Sequence, residues 1–303
     1  MAEALVIRGR PATGRRRGVR ATMPERPLYP VPRCPSHVFR ELVVPASAPP
    51  VAVLPGAEPV DLPGGPVGVL LSHGFTGTTQ SIRPWAEHLH AAGLSVVAPR
   101  LPGHGTRWQD MNTTRFDDWY AEVERSFDAL RERCSTVFVM GLSMGGTLAL
   151  RLAELRADEV AGVVVVNASL GTDRRDARLA PLLSRVVPSF PGIASDIKKP
   201  GVTELGYTKV PLHALASLFQ LHAMIRADLH RVTQPVLLMY SAVDHVVPSA
   251  PNAHAVRDGV GSADVTEIVL EDSYHVATLD HDAPTIFEGS LAFVQAHAPA
   301  AAG

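Results

Sequence analysis

The sequence is poor in cysteine and in net charge. Its 303 residues include only two cysteines, Cys34 and Cys134, too few for a disulfide framework or a cysteine-based metal cluster. So low a cysteine content is typical of proteins in the reducing cytoplasm, where thiols stay free. The alternative is that the two cysteines form one disulfide. The formal net charge is −2, so no global electrostatic attraction to nucleic acid or to an acidic membrane is expected.

Long apolar runs and metal-binding motifs are also missing. No stretch reaches the roughly 18 apolar residues of a transmembrane helix, which predicts that there is no integral membrane segment. Neither His-Glu-x-x-His nor a cluster of cysteine and histidine is present, so neither a metal nor a cofactor is expected. Hydrophobic residues make up 46% and charged residues 19% of the chain, a balance that indicates a globular protein with a sizeable core.

Residues 1–22 are basic and rich in glycine and alanine. A signal peptide would need an apolar stretch after its basic part, but residues 24–27 read Pro-Glu-Arg-Pro. The segment is predicted to be a disordered tail, or to precede the true start at Met23. An arm that binds nucleic acid or polyphosphate is the less favoured alternative. The arginines of the segment are Arg8, Arg10, Arg15, Arg16, Arg17 and Arg20.

A regular alternation of strands and helices begins at Val67, after a proline-rich lead-in over residues 23–66. Short β-like pieces in the lead-in, such as Val51–Leu54, predict edge strands. In residues 67–167, apolar strands alternate with helices, which predicts an α/β fold with a mostly parallel sheet flanked by helices. The predicted strands are Val67–Leu71, Leu94–Ala98, Val137–Met140 and Val160–Val166, and the predicted helices span about 80–92, 114–133 and 143–155.

The alternation stops after Asn167 and resumes near residue 232. Residues 168–231 contain prolines, loops and two apolar helical stretches but no strong strand signal, and so long an insertion is usually functional. We therefore predict a core formed by residues 67–167 and 232–299 and a cap formed by residues 168–231. The later core strands are predicted at Pro235–Tyr240 and Thr266–Leu270, and the later helices near 249–258 and 283–297.

Residues 141–146, Gly-Leu-Ser-Met-Gly-Gly, carry the strongest chemical signal. They fit Gly-x-Ser-x-Gly between a buried strand and a helix, a context in which the serine occupies a tight and strained turn. Glycines at 141 and 145 let the strand and the helix approach each other, and the positive end of the helix faces the hydroxyl. This context predicts that Ser143 is a nucleophile rather than a residue of an ordinary turn.

A serine hydroxyl needs a base to accept its proton, and that base is usually a histidine oriented by a carboxylate. Asp244 and His275 each follow a predicted strand, so both lie at the carboxyl edge of the sheet, where open α/β sheets bind ligands. We predict that Asp244 is the acid and His275 the base. Asp272 and Asp280 are weaker candidates for the acid because they lie so close in sequence to His275.

Two glycine-rich loops follow the first core strands. The backbone N–H groups of Phe75, in the first loop, and of Met144 are expected to form an oxyanion hole. His73 could be mistaken for a base, but a structural histidine that braces the loop is favoured. His104, in the second loop, is interpreted in the same way, and His245 is expected to point away from the site if Asp244 faces it.

Together these motifs resemble those of small bacterial carboxylesterases and monoacylglycerol lipases. The shared segments are His-Gly-Phe-Thr-Gly at 73–77, Pro-Gly-His-Gly at 102–105, the serine motif, Asp244 with Val-Pro at 247–248, and Ser-Tyr-His-Val at 273–276. The resemblance covers about residues 67–297. It implies the α/β-hydrolase fold with a small cap after the sixth strand, and hydrolysis of short- to medium-chain monoesters through an acyl-enzyme on Ser143. The family often has glycine before the histidine, so Tyr274 is expected to narrow the site.

The expected partner is a small-molecule ester substrate. Apolar residues recur at helical spacing in the predicted cap, and Leu215 and Phe219 are predicted to wall an acyl pocket; packing of the cap onto the core is the alternative. A thioesterase, acyltransferase, lactonase or carbon–carbon bond hydrolase on the same triad stays open, as does a ligand-binding protein without turnover. The other members of the apolar stripe are Leu212, Leu218 and Ile225.

Overall fold

Strands and helices alternate along most of the chain. The computed structural model describes residues 51–172, 180–193 and 195–299. The strands in these ranges are β1 (Val60–Leu62), β2 (Val67–Ser72), β3 (Ser95–Ala98), β4 (Thr136–Leu142), β5 (Val163–Val166), β6 (Ser189–Pro191), β7 (Lys209–Pro211), β8 (Val236–Ser241) and β9 (Val265–Leu270). The helices are α1 (Arg83–Ala91), α2 (Trp108–Met111), α3 (Phe116–Arg131), α4 (Met144–Leu155), α5 (Ala180–Leu183), α6 (Leu212–Asp228), α7 (Ser249–Gly259) and α8 (Ala283–His297).

The main sheet has the strand order β1-β3-β2-β4-β5-β8-β9. Every neighbouring pair in it is parallel except β1 and β3, which pair antiparallel at one edge. The central strands β4, β5 and β8 are buried over almost their whole length, because helices cover both faces. The predicted mostly parallel sheet flanked by helices is therefore confirmed, and it brings the carboxyl ends of β4, β8 and β9 to one edge.

The two faces of the sheet carry separate hydrophobic clusters. Along β4, Val139 points into one cluster and Phe138 and Met140 point into the other, as the twofold periodicity of a strand requires. The first cluster is formed with α3, α4 and α6, and the second with α1 and α8. Helix α4, which begins directly after Ser143, is thus held between the sheet and α6.

The lead-in contains an edge strand, as predicted, but not at the predicted position. Val51–Leu54 forms no strand, because the backbone N–H of Leu54 binds the carbonyl of Gly105 in a loop and a turn follows at Gly56 (φ 91°). The described lead-in contributes the single short strand β1 instead. Residues 1–50, including the predicted tail at 1–22, Met23 and Cys34, lie outside the described residues.

The insertion between β5 and β8 contains one feature that the sequence did not indicate. Strands β6 and β7 pair antiparallel as a separate small sheet, with Phe190 opposite Val210. Each strand is only three residues long and both contain proline, so neither produces a strand pattern. The insertion follows β5, which is the fifth strand in the described ranges. The resemblance implied an insertion after the sixth strand.

Candidate active site

Ser143 occupies the turn between β4 and α4 in a strained backbone conformation. Its φ is 55° and its ψ is −121°, a region that residues other than glycine rarely adopt. The turn is possible because a Cβ atom at Gly141 would lie 2.2 Å from the carbonyl carbon of Gly145, and one at Gly145 would lie 2.0 Å from the carbonyl oxygen of Ser72. The two glycines of the motif therefore make room for each other and for β2.

A line of hydrogen bonds joins the three residues that the sequence proposed. His275 Nε2 lies 3.0 Å from Ser143 Oγ, and His275 Nδ1 lies 2.7 Å from Asp244 Oδ2. The carboxylate can only accept, so the proton on Nδ1 is donated to Asp244. In neutral His275, Nε2 is then the acceptor that faces the hydroxyl of Ser143. The structure brings the predicted nucleophile, base and acid together at one edge of the sheet.

Asp244 is held as a carboxylate. Burial by itself raises the pKa of Asp244, but the neighbouring His275 and the hydrogen bonds from His275, Ser249 and the backbone N–H of Val247 lower that pKa below its ordinary value of 3.8. Oδ1 accepts from the N–H groups of Val246 and Val247 at 2.8 and 2.9 Å, while the Ser249 hydroxyl donates to Oδ2. One oxygen is thus fixed by the backbone and the other is turned toward His275.

The electrostatics around His275 favour its protonated form. Burial by itself lowers the pKa of His275, but Asp244, Glu204 and Asp196 raise it, and the net result is a pKa above the ordinary value of 6.5. The side chain of His275 is 9% exposed, so these charges act with little screening by solvent. An imidazolium that forms when the ring takes the proton of Ser143 is stabilised by this arrangement.

The two residues predicted to supply oxyanion donors flank Ser143. A Cβ atom at Gly74, the residue before Phe75, would lie 3.4 Å from Ser143 Cβ, so the loop after β2 passes directly beside the serine. Met144 is the first residue of α4, and its N–H group therefore has no partner within the helix. Both positions are compatible with donors that face an atom bonded to Ser143.

The apolar stripe on α6 divides into two parts. Leu215, Leu218 and Phe219 line a cavity that also contains Ser143 and His275. Leu212 and Ile225 are fully buried in the core on the same face of the sheet as α4. The members of the stripe that line the cavity are therefore different residues from those that pack only in the core.

Tyr274 is placed differently from the prediction. It is not among the residues that line the cavity; its ring packs edge-on against His245 at 4.6 Å between centroids. The cause is its backbone, because the N–H of Tyr274 donates to Asp280 and its carbonyl accepts from the hydroxyl of Ser241. Tyr274 therefore does not narrow the cavity.

The rival acids have other partners. Asp272 is exposed and binds the ammonium group of Lys198. Asp280 is buried and accepts from several backbone N–H groups, those of Lys198 and Tyr274 among them. Neither carboxylate lies against His275, so in this geometry Asp244 is the partner of the ring.

The histidines of the two glycine-rich loops brace the loops. In His73, Nε2 accepts from the N–H of Leu101 and Nδ1 donates to the carbonyl of Gly74, and burial lowers the pKa of His73 to about 4. His104 packs edge-on against His73 and Trp119. Both rings are fully buried and neither lines the cavity, which agrees with a structural role.

Three residues at the site were missed by sequence reasoning. Asn167, directly after β5, is fully buried; its Nδ2 donates to the carbonyl of His275 at 2.8 Å and its Oδ1 accepts from the N–H of Ser241. Asp196 and Glu204 belong to the insertion and line the cavity. A polar residue directly after a run of four valines was the one available signal for Asn167, and no local pattern marked the other two.

Glu204 places an ionisable carboxyl in the cavity. Burial raises its pKa to about 7, although the neighbouring His275 and a hydrogen bond from Ser81 lower the pKa in part. A Cβ atom at Gly77 would lie 2.5 Å from Glu204 Oε1, so the last glycine of the His-Gly-Phe-Thr-Gly segment leaves space for this carboxyl group. The cavity thus combines an apolar wall with a polar group near the serine.

Metal sites and membrane spans were sought in the same part of the chain. No group of three or more histidine, cysteine, aspartate or glutamate side chains in the described ranges has the geometry of a metal site. No helix among those described has the length and hydrophobicity needed to cross a membrane.

Comparison with known proteins agrees with this geometry. The model of the family Hydrolase_4, described as serine aminopeptidase, S33, matches residues 67–282. The chain is 48% identical over 248 residues to a protein named thermostable monoacylglycerol lipase from Bacillus sp. (strain H-257), with 81% of this chain and 97% of the relative covered. It is 26% identical to a protein named carboxylesterase from Bacillus subtilis (strain 168), with 78% and 96% covered.

A solved structure is similar over the same region. It is described under the names LipS and LipT, two metagenome-derived lipolytic enzymes, and it has 42% sequence identity and a TM-score of 0.79, with 81% of this chain and 100% of that chain covered. The family match, the sequence relatives and the fold agree with one another. The chain therefore belongs to the Hydrolase_4 family and is an ester hydrolase with the α/β-hydrolase fold.

Proposed function

We propose that Ser143, His275 and Asp244 form a catalytic triad that hydrolyses carboxylic monoesters, with monoacylglycerols as the substrate class. The observation that carries this proposal is the line of hydrogen bonds from Ser143 through His275 to Asp244. Ser143 and His275 line a cavity that has an apolar wall. A serine hydroxyl is a weak nucleophile, and a neutral imidazole within hydrogen-bond distance is what activates it.

In the first half of the reaction, Ser143 Oγ attacks the carbonyl carbon of the ester and its proton passes to His275 Nε2. Asp244 keeps the other ring proton on Nδ1 and stabilises the imidazolium. When the bond between the carbonyl carbon and the alcohol oxygen breaks, His275 returns the proton to that oxygen. The alcohol leaves, and the acyl group stays on Ser143 as an ester.

In the second half, a water molecule attacks the acyl-enzyme. His275 takes a proton from the water, the new bond forms between water oxygen and carbonyl carbon, and the bond from that carbon to Ser143 Oγ breaks. The proton then passes to Ser143. The products are a carboxylic acid, which ionises at neutral pH, and the regenerated enzyme.

The negative oxygen of both tetrahedral intermediates needs donors. We assign these to the backbone N–H groups of Phe75 and Met144. The passage of the loop beside Ser143 and the position of Met144 at the start of α4 support this assignment, because the N-terminus of a helix favours a negative charge. Removal of such a donor costs roughly 10²- to 10³-fold in turnover in other enzymes of this type.

The contents of the cavity support a substrate with an apolar acyl group and a polar alcohol. Leu215 and Phe219 offer a wall to the acyl chain, and Glu204 offers a carboxyl group that can accept hydrogen bonds from free hydroxyls of glycerol. The relative from Bacillus sp. (strain H-257) is named a monoacylglycerol lipase. In this proposal, insertion residues 168–231 form the cap. We also propose a cytoplasmic location, which the low cysteine content led us to expect.

Activity-based labelling tests the nucleophile. A fluorophosphonate probe should label the wild-type enzyme and leave Ser143→Ala unlabelled, and turnover of an octanoyl ester should fall on the order of 10⁶-fold in that variant. Ser126→Ala is the matched control, because Ser126 is a buried serine on α3 that does not line the cavity. Ser143→Ala with the turnover of the wild type would exclude this mechanism.

The alcohol preference tests the substrate class. We expect a higher kcat/KM for 1-monooctanoylglycerol than for methyl octanoate or octanoyl-CoA, and we expect Glu204→Gln to reduce the preference for glycerol over methanol. Glu271 is exposed and lies outside the cavity, so Glu271→Gln should leave the ratio of kcat/KM for the glycerol ester to that for the methyl ester unchanged. A higher kcat/KM for octanoyl-CoA would replace the monoester proposal with a thioesterase.

A further inference from the structure

Asp196 places a carboxylate of the insertion against two loops of the core. Its side chain is 8% exposed. Oδ2 accepts from the backbone N–H of His245 at 3.1 Å and from the backbone N–H of His275 at 3.2 Å. Oδ1 lies 2.8 Å from His245 Nδ1, which must carry a proton there because a carboxylate only accepts. One side chain therefore holds the loop that contains the acid and the loop that contains the base.

The backbone of Asp196 extends the same connection. Its carbonyl oxygen accepts from the N–H of Val276 at 3.0 Å. The preceding residue, Ser195, has a φ of 54°. Its Oγ accepts a hydrogen bond from the backbone N–H of Glu204, also in the insertion, at 2.8 Å. Ser195 therefore ties the segment that contains Asp196 to the segment that contains Glu204.

Both polar backbone groups of His275 are thus bound to side chains. Asp196, from the insertion, accepts from its N–H, and Asn167, from the core, donates to its carbonyl at 2.8 Å. A histidine fixed on both sides has little freedom to shift its ring relative to Ser143. Since a misplacement of about 1 Å at a reacting group can cost about 10²-fold in rate, the group that holds the backbone matters for turnover.

The charge of Asp196 also reaches the ring. Among the described residues, Asp244 from the loop after β8 and Glu204 and Asp196 from the insertion raise the pKa of His275. His245 faces Asp196 and the ring of Tyr274. Asp244 binds the ring directly, whereas Asp196 acts on it through space and through the backbone.

We propose that Asp196 is a positioning residue of the active site: its carboxylate ties the insertion to the loops of Asp244 and His275 and keeps the imidazole aligned with Ser143. This inference rests on the proposed function of His275. It makes the insertion part of the catalytic framework in addition to a wall for the acyl chain. A displacement of the residue-196 segment would then slow the chemical step itself.

Two substitutions separate the two effects of the carboxylate. Asp196→Ala removes the acceptor and the charge, so we expect kcat for 1-monooctanoylglycerol to fall about 10²-fold while KM changes little. Asp196→Asn keeps an oxygen for the two backbone N–H groups and removes the charge. Its NH₂ group then faces His245 Nδ1, which accepts in the other tautomer of that exposed ring. Asp196→Asn should restore most of the lost kcat, and the acid limb of its kcat/KM profile should move to lower pH, because His275 loses one neighbouring negative charge.

Asp258→Asn is the matched control. Asp258 is an exposed aspartate on α7 whose side chain binds only Arg257 in the described contacts, so its removal should leave both kcat and the pH profile as in the wild type. Thermal unfolding of each variant shows whether a loss of kcat reflects loss of folded enzyme; Asp196→Asn carries the test if Asp196→Ala fails to fold.

The inference is overturned if Asp196→Ala keeps a kcat within about twofold of the wild type, or if a folded Asp196→Asn is as slow as Asp196→Ala with an unmoved acid limb. A loss confined to KM would also overturn it, since that result describes a residue that binds substrate. These outcomes differ from a failure of the proposed function, which would appear as turnover in the wild type that does not depend on Ser143.

Discussion

Replacing Asp244 with asparagine tests the orientation of His275 most directly. The backbone N–H groups of Val246 and Val247 bind Oδ1 at 2.8 and 2.9 Å, so the oxygen of the new amide is held at that position. The amide NH₂ group then occupies the position of Oδ2 and faces His275 Nδ1, which lies 2.7 Å away. An amide donor at this position requires Nδ1 to be an acceptor.

The consequence is the wrong tautomer of the ring. With Nδ1 unprotonated, neutral His275 carries its proton on Nε2, the atom that lies 3.0 Å from Ser143 Oγ. A protonated Nε2 cannot take the proton of the serine. The same change in another triad costs about 10⁴-fold in kcat, which corresponds to about 5.4 kcal/mol in the activation free energy. We expect a loss of that order here.

The assay is single-substrate kinetics with p-nitrophenyl butyrate, together with thermal unfolding to confirm that the variant is folded. Asp272→Asn is the matched control because Asp272 is exposed and binds Lys198; its turnover should stay within about twofold of the wild type. A loss smaller than tenfold in Asp244→Asn would refute the orientation argument. A larger loss in Asp272→Asn than in Asp244→Asn would assign the acid to Asp272.

Four further outcomes follow from the geometry. The pKa of His275 is raised above 6.5 and only the neutral ring accepts a proton, so kcat/KM should rise with pH through a midpoint above 6.5; a midpoint below 6.5 in a pH–rate profile would contradict this. Each methylene that enters the cavity favours binding by roughly 0.8 kcal/mol, about fourfold, so kcat/KM should rise from acetate to about hexanoate or octanoate and then fall. Phe219→Ala should move that optimum to longer chains, whereas Met224→Ala, an exposed position on the same helix, should not, and an unchanged optimum in Phe219→Ala would leave Phe219 as a packing residue. Gly145→Ala should destabilise the fold by about 1–3 kcal/mol or more, because its Cβ would lie 2.0 Å from the carbonyl oxygen of Ser72; a melting temperature equal to that of the wild type would show that the turn can relax.

Much of the core fold could be predicted from the sequence because its signals are local. Apolar runs mark the buried strands, and a strand followed by Gly-x-Ser-x-Gly and a helix marks the turn of Ser143. Asp244 and His275 follow predicted strands, and parallel strands bring such positions to one edge of a sheet. The lead-in was harder, since Val51–Leu54 has the composition of a strand but its backbone binds a loop.

The remaining features were decided by tertiary structure. Asp196 lies 79 residues before His275 and 49 before His245, and Asn167 lies 108 residues before His275. Such pairs leave no periodicity in the sequence, because a hydrogen bond between distant loops depends on how the insertion packs against the core and not on the spacing of neighbours. The resemblance places Tyr274 in the cavity, because relatives often have glycine at this position, but the direction of Tyr274 is set by Asp280 and Ser241. The sequence by itself determined which residues could carry the chemistry, because a local pattern identifies strands, helices and the turns between them. Only the tertiary structure decided which side chains hold those residues in place, because contacts between distant segments depend on how the segments pack.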